Sequence, residues 1–176
     1  MFKTILIYGS IAGLIVGSLL FGTGVTILHT VSPTIGMAIG YTGMLVAFST
    51  IFIAIKRRRD VVQGGVIRFL PALGMGLGIT LIAGIFYVVA WEAVLAVRGM
   101  DFGSGYAEAV VADMRASGAS AAEIARASAE MAEFAENYAN PFYRIPVTFS
   151  EIAPVGAAIS LLTALLLANR NFLPAR

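Results

Sequence analysis

The chain contains no cysteine and a single histidine, and only 12% of its residues are charged. Without cysteine there can be no disulfide, no catalytic thiolate and no cysteine-ligated metal. Soluble domains carry about 25% charged residues, so the low charge argues against a water-soluble protein. These absences exclude several enzyme classes before any motif is considered.

Apolar sequence is abundant by contrast, because 59% of the residues are hydrophobic and the mean hydropathy is +0.87. Four runs are long enough to cross the hydrocarbon core of a bilayer, which takes about 20 residues as a helix. They cover residues 4–28, 33–55, 69–97 and 149–168. The pattern predicts one all-α domain over residues 1–176, a polytopic membrane protein with four transmembrane helices.

Four consecutive cations interrupt the apolar sequence directly after the second run, at residues 56–59. Lys and Arg accumulate on the cytoplasmic side of membrane spans, so this turn is predicted to be cytoplasmic. Alternation then puts both chain termini inside the cell and residues 99–147 outside. The predicted inner segments hold eight cations against Asp60 alone, namely Lys3, Lys56, Arg57, Arg58, Arg59, Arg68, Arg170 and Arg176.

The cations at this membrane boundary are candidates for contact with anionic lipid headgroups, at about 1 kcal/mol per cation near the surface. They are Lys56, Arg57, Arg58, Arg59 and Arg68. The alternative interpretation is that they only set the topology. Because the basic residues cluster at predicted boundaries, the sequence predicts the phospholipid bilayer as a partner and no nucleic acid.

Residues 99–147 differ from the rest of the chain, because Ala, Glu and Ser replace the large apolar residues. Two helices are predicted, the first over residues 105–117 and the second from Ser120 to the break before Pro141. Ser120-Ala-Ala-Glu123 has the pattern of a capping box. The segment is therefore expected to form an extracytoplasmic helical hairpin.

The fourth apolar run follows Thr148-Phe-Ser-Glu151, which has the pattern of a second capping box. We therefore predict that the last transmembrane helix begins near Phe149. Small residues then recur at a spacing of four, at Gly156 and Ser160. Such a spacing predicts a face on which another helix packs closely.

The first run has the same pattern at Gly9, Gly13 and Gly17, which the spacing aligns on one helix face. Packing within the chain is the favoured interpretation, and a seam between two copies of the chain is the alternative. A further glycine repeat at residues 74–78 follows no strand. It is therefore not a phosphate-binding loop, and no cofactor is predicted.

Ionisable side chains in membrane spans are candidates for a proton or ion site. Glu92 is predicted near the outer end of the third span, where it could face His29. The alternative is structural, a carboxylate at headgroup level that pairs with Arg98 or Arg144. We favour the structural interpretation for Glu92, because a paired carboxylate at headgroup level costs little. One histidine and one carboxylate are also too few for a zinc site. No catalytic or metal-binding residue is predicted.

A series of short motifs along the chain is similar to that of a known family. The motifs are Gly40-Tyr41-x-x-Met44, Lys56-Arg57-x-Arg59-Asp60, Gly64-Gly65-x-Ile67-x-Phe69-x-x-Ala72, Tyr87-x-x-x-Trp91, Asn140-Pro141, and Thr148 with Glu151 and Pro154-Val155-Gly156. In order and spacing they resemble the bacterial membrane proteins of the domain of unknown function 4199 family. The resemblance implies four transmembrane helices with a long insertion before the last, in a bacterial inner membrane, and no established activity.

The leading functional hypothesis is a noncatalytic accessory or scaffolding protein whose external hairpin contacts a membrane-protein partner, another copy of the chain or the bilayer surface. The alternative is a small oligomeric transporter or channel component for ions or lipids. A membrane enzyme would need polar side chains clustered at one depth, and the sequence indicates none beyond His29 and Glu92. We therefore predict that the protein is not an enzyme.

Overall fold

The computed structural model describes residues 1–27, 31–99 and 102–174. Within these ranges the chain forms six α-helices and one π-helical turn, and it forms no strand. In chain order they are α1 (Phe2–Thr26), α2 (Pro33–Arg57), the π-helical turn (Arg58–Val62), α3 (Phe69–Arg98), α4 (Phe102–Ala116), α5 (Ala121–Tyr138) and α6 (Pro141–Ala168). The all-α prediction is confirmed.

Four segments are long and apolar enough to cross a membrane. They are Phe2–Thr26, Thr34–Val62, Phe69–Arg98 and Pro141–Ala168. Their outward faces carry exposed leucine, isoleucine and valine, among them Leu14, Val46, Leu81 and Leu165. A water-soluble bundle would place charged side chains on these faces, so both the length and the surface of the helices suit a bilayer.

The four long helices form a bundle in which their order around the axis is α1, α3, α6 and α2. α3 packs extensively on α1 and on α6. The core between them is filled by fully or almost fully buried apolar side chains, among them Ala12, Val16, Met44, Phe48, Ile51, Ile55, Met75, Ile79, Ile152 and Leu167. We call the end of the bundle at Lys56–Arg59 and Arg68 the basic end, and the end that carries α4 and α5 the hairpin end.

Small residues allow the close helix contacts. A Cβ atom on Gly9 would lie 2.7 Å from Ile82 Cβ, and one on Gly13 would lie 2.6 Å from Phe86 Cγ. Together with Gly17, which faces Phe86 and Ala90, these glycines form the face of α1 that packs on α3.

The same kind of contact joins α6 to its neighbours. Gly156 packs on Thr80 and Phe48, and the buried Ser160 packs on Gly76. Ser160 Oγ donates a hydrogen bond of 2.7 Å to the Gly156 carbonyl, which keeps the hydroxyl satisfied inside the bundle.

Replacing Gly156 with alanine is expected to lower the free energy of unfolding by about 2 kcal/mol, because the new methyl group overlaps Thr80 and Phe48 in a filled core. Gly74 supplies the matched control, since a Cβ there meets nothing within 4 Å. Gly74→Ala should leave the free energy of unfolding in detergent micelles unchanged or slightly higher, because alanine favours the helix. Equal effects of the two substitutions would contradict the packing described.

Local signals in the sequence set several helix ends. At the start of α2, the Ser32 side chain accepts a hydrogen bond of 3.4 Å from the Ile35 N–H. The capping box predicted for α5 is confirmed, because the Ser120 N–H donates to Glu123 Oε2 (2.8 Å) and the Glu123 N–H donates to Ser120 Oγ (3.3 Å). These hydrogen bonds to the charged form lower the pKa of Glu123. Gly118, at φ +80°, separates α4 from α5.

The second predicted capping box, at Thr148 and Glu151, is wrong. α6 begins at Pro141, and its cap is Asn140, whose Oδ1 accepts a hydrogen bond of 3.0 Å from the Phe142 N–H. Thr148 and Glu151 therefore lie two to three turns inside a continuous helix. The helix begins before the apolar run because Arg144, a charged residue in its first turn, pairs with Glu92 of α3.

α2 is packed unevenly along its length. Its basic-end half supplies many core side chains, including Phe48, Ile51 and Ile55. In the hairpin-end half, over residues 34–42, every side chain is exposed or only half-buried. α2 therefore leaves the neighbouring helices partly uncovered at the hairpin end.

Candidate functional site

Polar side chains from α3, α5 and α6 meet at the hairpin end of the bundle, and we call them the hairpin-end network. Its members are Tyr87, Trp91, Glu92, Tyr138, Arg144, Thr148 and Glu151. The spacing brings them together, because Tyr87 and Trp91 are one turn apart on α3, while the α6 members follow one another at intervals of four and three residues.

Arg144 is the centre of the first half of the network. It is 2% exposed, and it binds both carboxylate oxygens of Glu92, with Nε to Oε1 at 2.7 Å and Nη2 to Oε2 at 2.6 Å. Its Nη1 also donates to the Tyr138 carbonyl at 3.1 Å. A planar guanidinium suits this bidentate geometry. Arg144 thus joins α3, the end of α5 and the start of α6.

Aromatic side chains dock the hairpin onto the bundle beside this ion pair. Trp91 Nε1 donates a hydrogen bond of 2.7 Å to the Tyr138 hydroxyl. The Phe102 ring of α4 meets Trp91 edge-on at 4.7 Å, and Phe134 lies 5.1 Å from Tyr138 between ring centroids. Burial raises the pKa of the Tyr138 phenol above its usual range, so this group stays protonated.

The second half of the network contains a carboxylate for which the described residues provide no charged partner. The Tyr87 hydroxyl donates a hydrogen bond of 3.1 Å to Glu151 Oε2. Among the described residues, the ion pairs do not include Glu151. Thr148 is 2% exposed and lies beside the Tyr138 phenol. Glu151 is exposed, and within the described residues its hydrogen bond from Tyr87 fills one of its acceptor positions.

Of the two residues in the predicted ion site, Glu92 lies within the described residues and His29 does not. Glu92 pairs with Arg144, one of the two partners named by the structural interpretation. His29 lies outside the described residues, and so does the predicted pair of His29 with Glu92. Sequence reasoning missed the gathering of polar side chains at one depth and Glu151 within it, although the spacing of Arg144, Thr148 and Glu151 on one helix face was a usable signal.

Arg59 at the basic end departs from the predicted lipid contact. It is fully buried, and it donates to Asp60 Oδ1 (2.7 Å), to the Phe172 carbonyl (2.9 Å) and to the Leu173 carbonyl. Burial of a charge needs such partners, and here the returning C-terminal segment supplies two of them. Arg59 therefore clamps the end of the chain and does not face lipid.

The other predicted lipid-contacting cations remain at the surface. Arg57 and Arg68 are exposed, while Lys56 and Arg58 are half-buried. Lys56 pairs with Asp60 at 2.5 Å. In the described ranges, no group of three or more His, Asp or Glu side chains is placed to hold a metal ion.

Comparison with protein families gives one match along almost the whole chain. The family model described as "Protein of unknown function (DUF4199)" matches residues 7–169. Comparison with curated proteins and with solved structures finds no match. The matched segment includes all members of the hairpin-end network and nearly all of the four long helices. The chain therefore belongs to the DUF4199 family.

Proposed function

We propose that this protein is a noncatalytic accessory or scaffolding protein of the membrane that acts through its α4–α5 hairpin. The observation that carries the proposal is the way the hairpin is held. Its base is tied to the bundle by the Arg144–Glu92 ion pair and by the Trp91–Tyr138 hydrogen bond, while most of its surface is free.

The base of the hairpin is built for a fixed geometry. Bidentate charge-assisted hydrogen bonds constrain direction as well as distance, and edge-on aromatic contacts add packing around them. A loop that served only to connect α3 with α6 would need neither the bidentate ion pair nor the aromatic contacts. We infer that the hairpin is held at a set angle so that its outer surface can be presented to another molecule.

The outer surface of the hairpin is acidic. Over residues 102–139, six exposed carboxylates accompany two exposed arginines. The acids are Glu108, Asp113, Glu123, Glu130, Glu133 and Glu136, and the arginines are Arg115 and Arg126. This balance favours a partner protein with a basic surface and disfavours contact with anionic lipid.

The alternative, a small oligomeric transporter or channel component, has one observation in its favour. Glu151 is a carboxylate inside a candidate membrane span, and the part of the chain that the structure describes gives it no charged partner. A conducting path through a single copy would also need polar groups toward the basic end, where Phe48, Ile51, Ile79 and other fully buried apolar side chains fill the bundle. We therefore place the scaffolding role first.

We further propose that the hairpin lies outside the cytoplasm and the basic end inside, in a bacterial inner membrane. The clustering of cations at the basic end and of carboxylates on the hairpin supports this orientation. The chain has no cysteine, so single substitutions Gln63→Cys and Ser117→Cys, at exposed positions, can report the exposure of each end to an impermeant label. Labelling of both positions from the same side would refute the orientation.

The scaffolding role is tested on a variant that changes the hairpin surface and leaves its base intact. The triple substitution Glu108→Gln, Glu133→Gln and Glu136→Gln is expected to weaken recovery of co-purifying proteins by about tenfold, because long-range attraction to a basic partner is lost. Arg115→Gln, on the same surface, serves as the matched control and should not weaken recovery.

A deletion of residues 104–139 provides the stronger form of the experiment. We expect every hairpin-dependent partner to be lost from the detergent extract. If both the co-purifying proteins and the oligomeric state were unchanged by the deletion, the hairpin would have no scaffolding role.

A further inference from the structure

The Tyr87–Glu151 pair lies close to the boundary between hydrocarbon and headgroups. α3 begins at Phe69 beside Arg68, and Tyr87 is 18 residues further along the helix (87 − 69). At 1.5 Å per residue this is about 27 Å, against a hydrocarbon thickness of about 30 Å. If Phe69 lies at the hydrocarbon boundary of the basic end, Tyr87 and Glu151 therefore lie near the hydrocarbon boundary of the hairpin end.

Among the described residues, the ion pairs leave the Glu151 carboxylate without a counter-ion. The nearest cation along its own helix, Arg144, already uses its guanidinium on Glu92 and on the Tyr138 carbonyl. A carboxylate has about four acceptor positions, and Tyr87 fills one of them. Glu151 is exposed, so its side chain is accessible from outside the bundle.

A further observation concerns how this end of the bundle is covered. The hairpin-end half of α2, which would cover this part of the bundle if it were packed like the other half, is exposed or only half-buried over residues 34–42. The neighbouring helices are thus partly uncovered at the end of the bundle where Glu151 lies.

We propose that Glu151 and Tyr87 form a binding site for a primary ammonium group at the headgroup boundary. An ammonium supplies a positive charge and three N–H donors, which match the unfilled acceptor positions of the carboxylate. At this depth the group can belong to an ethanolamine phospholipid of the surrounding leaflet or to a small soluble amine. A quaternary ammonium such as choline has no N–H and matches the site less well.

The experiment measures lipid retention by native mass spectrometry. The full-length protein is extracted from vesicles with equal amounts of phosphatidylethanolamine and phosphatidylcholine, two lipids of equal net charge. We expect the wild type to retain the ethanolamine lipid with about a tenfold preference, which corresponds to about 1.4 kcal/mol. Glu151→Gln, which keeps an acceptor for Tyr87 but no charge, is expected to lose the preference.

Control variants separate binding from folding. Glu108→Gln, on the exposed hairpin surface, should keep the preference, and so should Glu151→Asp, which retains the charge. Added ethanolamine distinguishes the sources, since displacement of lipid indicates a site for ammonium alone, while retention with the preference intact indicates that the lipid itself is needed. Equal retention of both lipids by the wild type, or an undiminished preference in Glu151→Gln, would overturn the proposal.

Discussion

Replacing Arg59 with glutamine is expected to lower the free energy of unfolding by about 3 kcal/mol, because hydrogen bonds from a charged group contribute about 1.5–3 kcal/mol each. The Arg59 side chain is completely buried, and its guanidinium holds the Phe172 and Leu173 carbonyls. Glutamine is too short to reach both carbonyls and leaves empty volume behind. Asp60 keeps Lys56 as a partner, so the loss falls mainly on the C-terminal segment.

Release of that segment is the specific consequence to measure. Trypsin should cleave after Arg170 more than about tenfold faster in the Arg59→Gln variant, because cleavage follows the population of the open form. Arg57→Gln, an exposed neighbour in the same basic run, is the matched control and should behave like the wild type. Cleavage at the wild-type rate in Arg59→Gln would show that the clamp does not hold the end of the chain.

The second large effect is expected for Glu92→Gln, which leaves the Arg144 guanidinium buried without a counter-ion. Arginine does not deprotonate in proteins, so the charge cannot be relieved. We expect a loss of about 3 kcal/mol in the free energy of unfolding, close to the lower end for buried pairs because Glu92 retains 35% exposure. Differential scanning calorimetry in detergent, with matched protein concentrations, measures the change.

Two comparisons test whether the ion pair is the cause. Glu130→Gln breaks a pair of the same composition, but there Arg126 and Glu130 are 83% and 58% exposed, so no measurable change is expected. The double variant Glu92→Gln/Arg144→Gln should recover part of the loss, because neither charge is then left alone. If the double variant lost the sum of the two single effects, the pair would not be coupled.

The same ion pair bears on function. The proposed scaffolding role needs the hairpin at a set angle, and Glu92 and Arg144 connect the hairpin base to α3 and α6. In a Glu92→Gln variant that still folds at low temperature, the increase in hydrogen exchange over the wild type should therefore be larger in α4 and α5 than in α1 and α3. The change would separate a loosened hairpin from general unfolding of the bundle.

The sequence was sufficient for the parts of the molecule that depend on neighbouring residues. Long apolar runs predict the four long helices because the length needed to cross a bilayer can be read directly from the chain. The capping box of Ser120 and Glu123 was predicted because its two residues are only three positions apart. The family was also recognised from motifs in order along the chain.

The fate of individual charges depended on contacts between distant parts of the chain. Arg59 stands among four adjacent cations, and it alone of the four is fully buried in the described residues, because the segment at Phe172 and Leu173 returns to it. Likewise α6 starts at Pro141, before its apolar run, since Arg144 meets Glu92 of α3 across 52 positions. Burying a charge costs several kcal/mol unless a partner compensates, and sequence patterns do not reveal a partner so far away. The spacing of Arg144, Thr148 and Glu151 places them on one face of α6, but the hydrogen bond from Tyr87 of α3 to Glu151 depends on how the two helices pack.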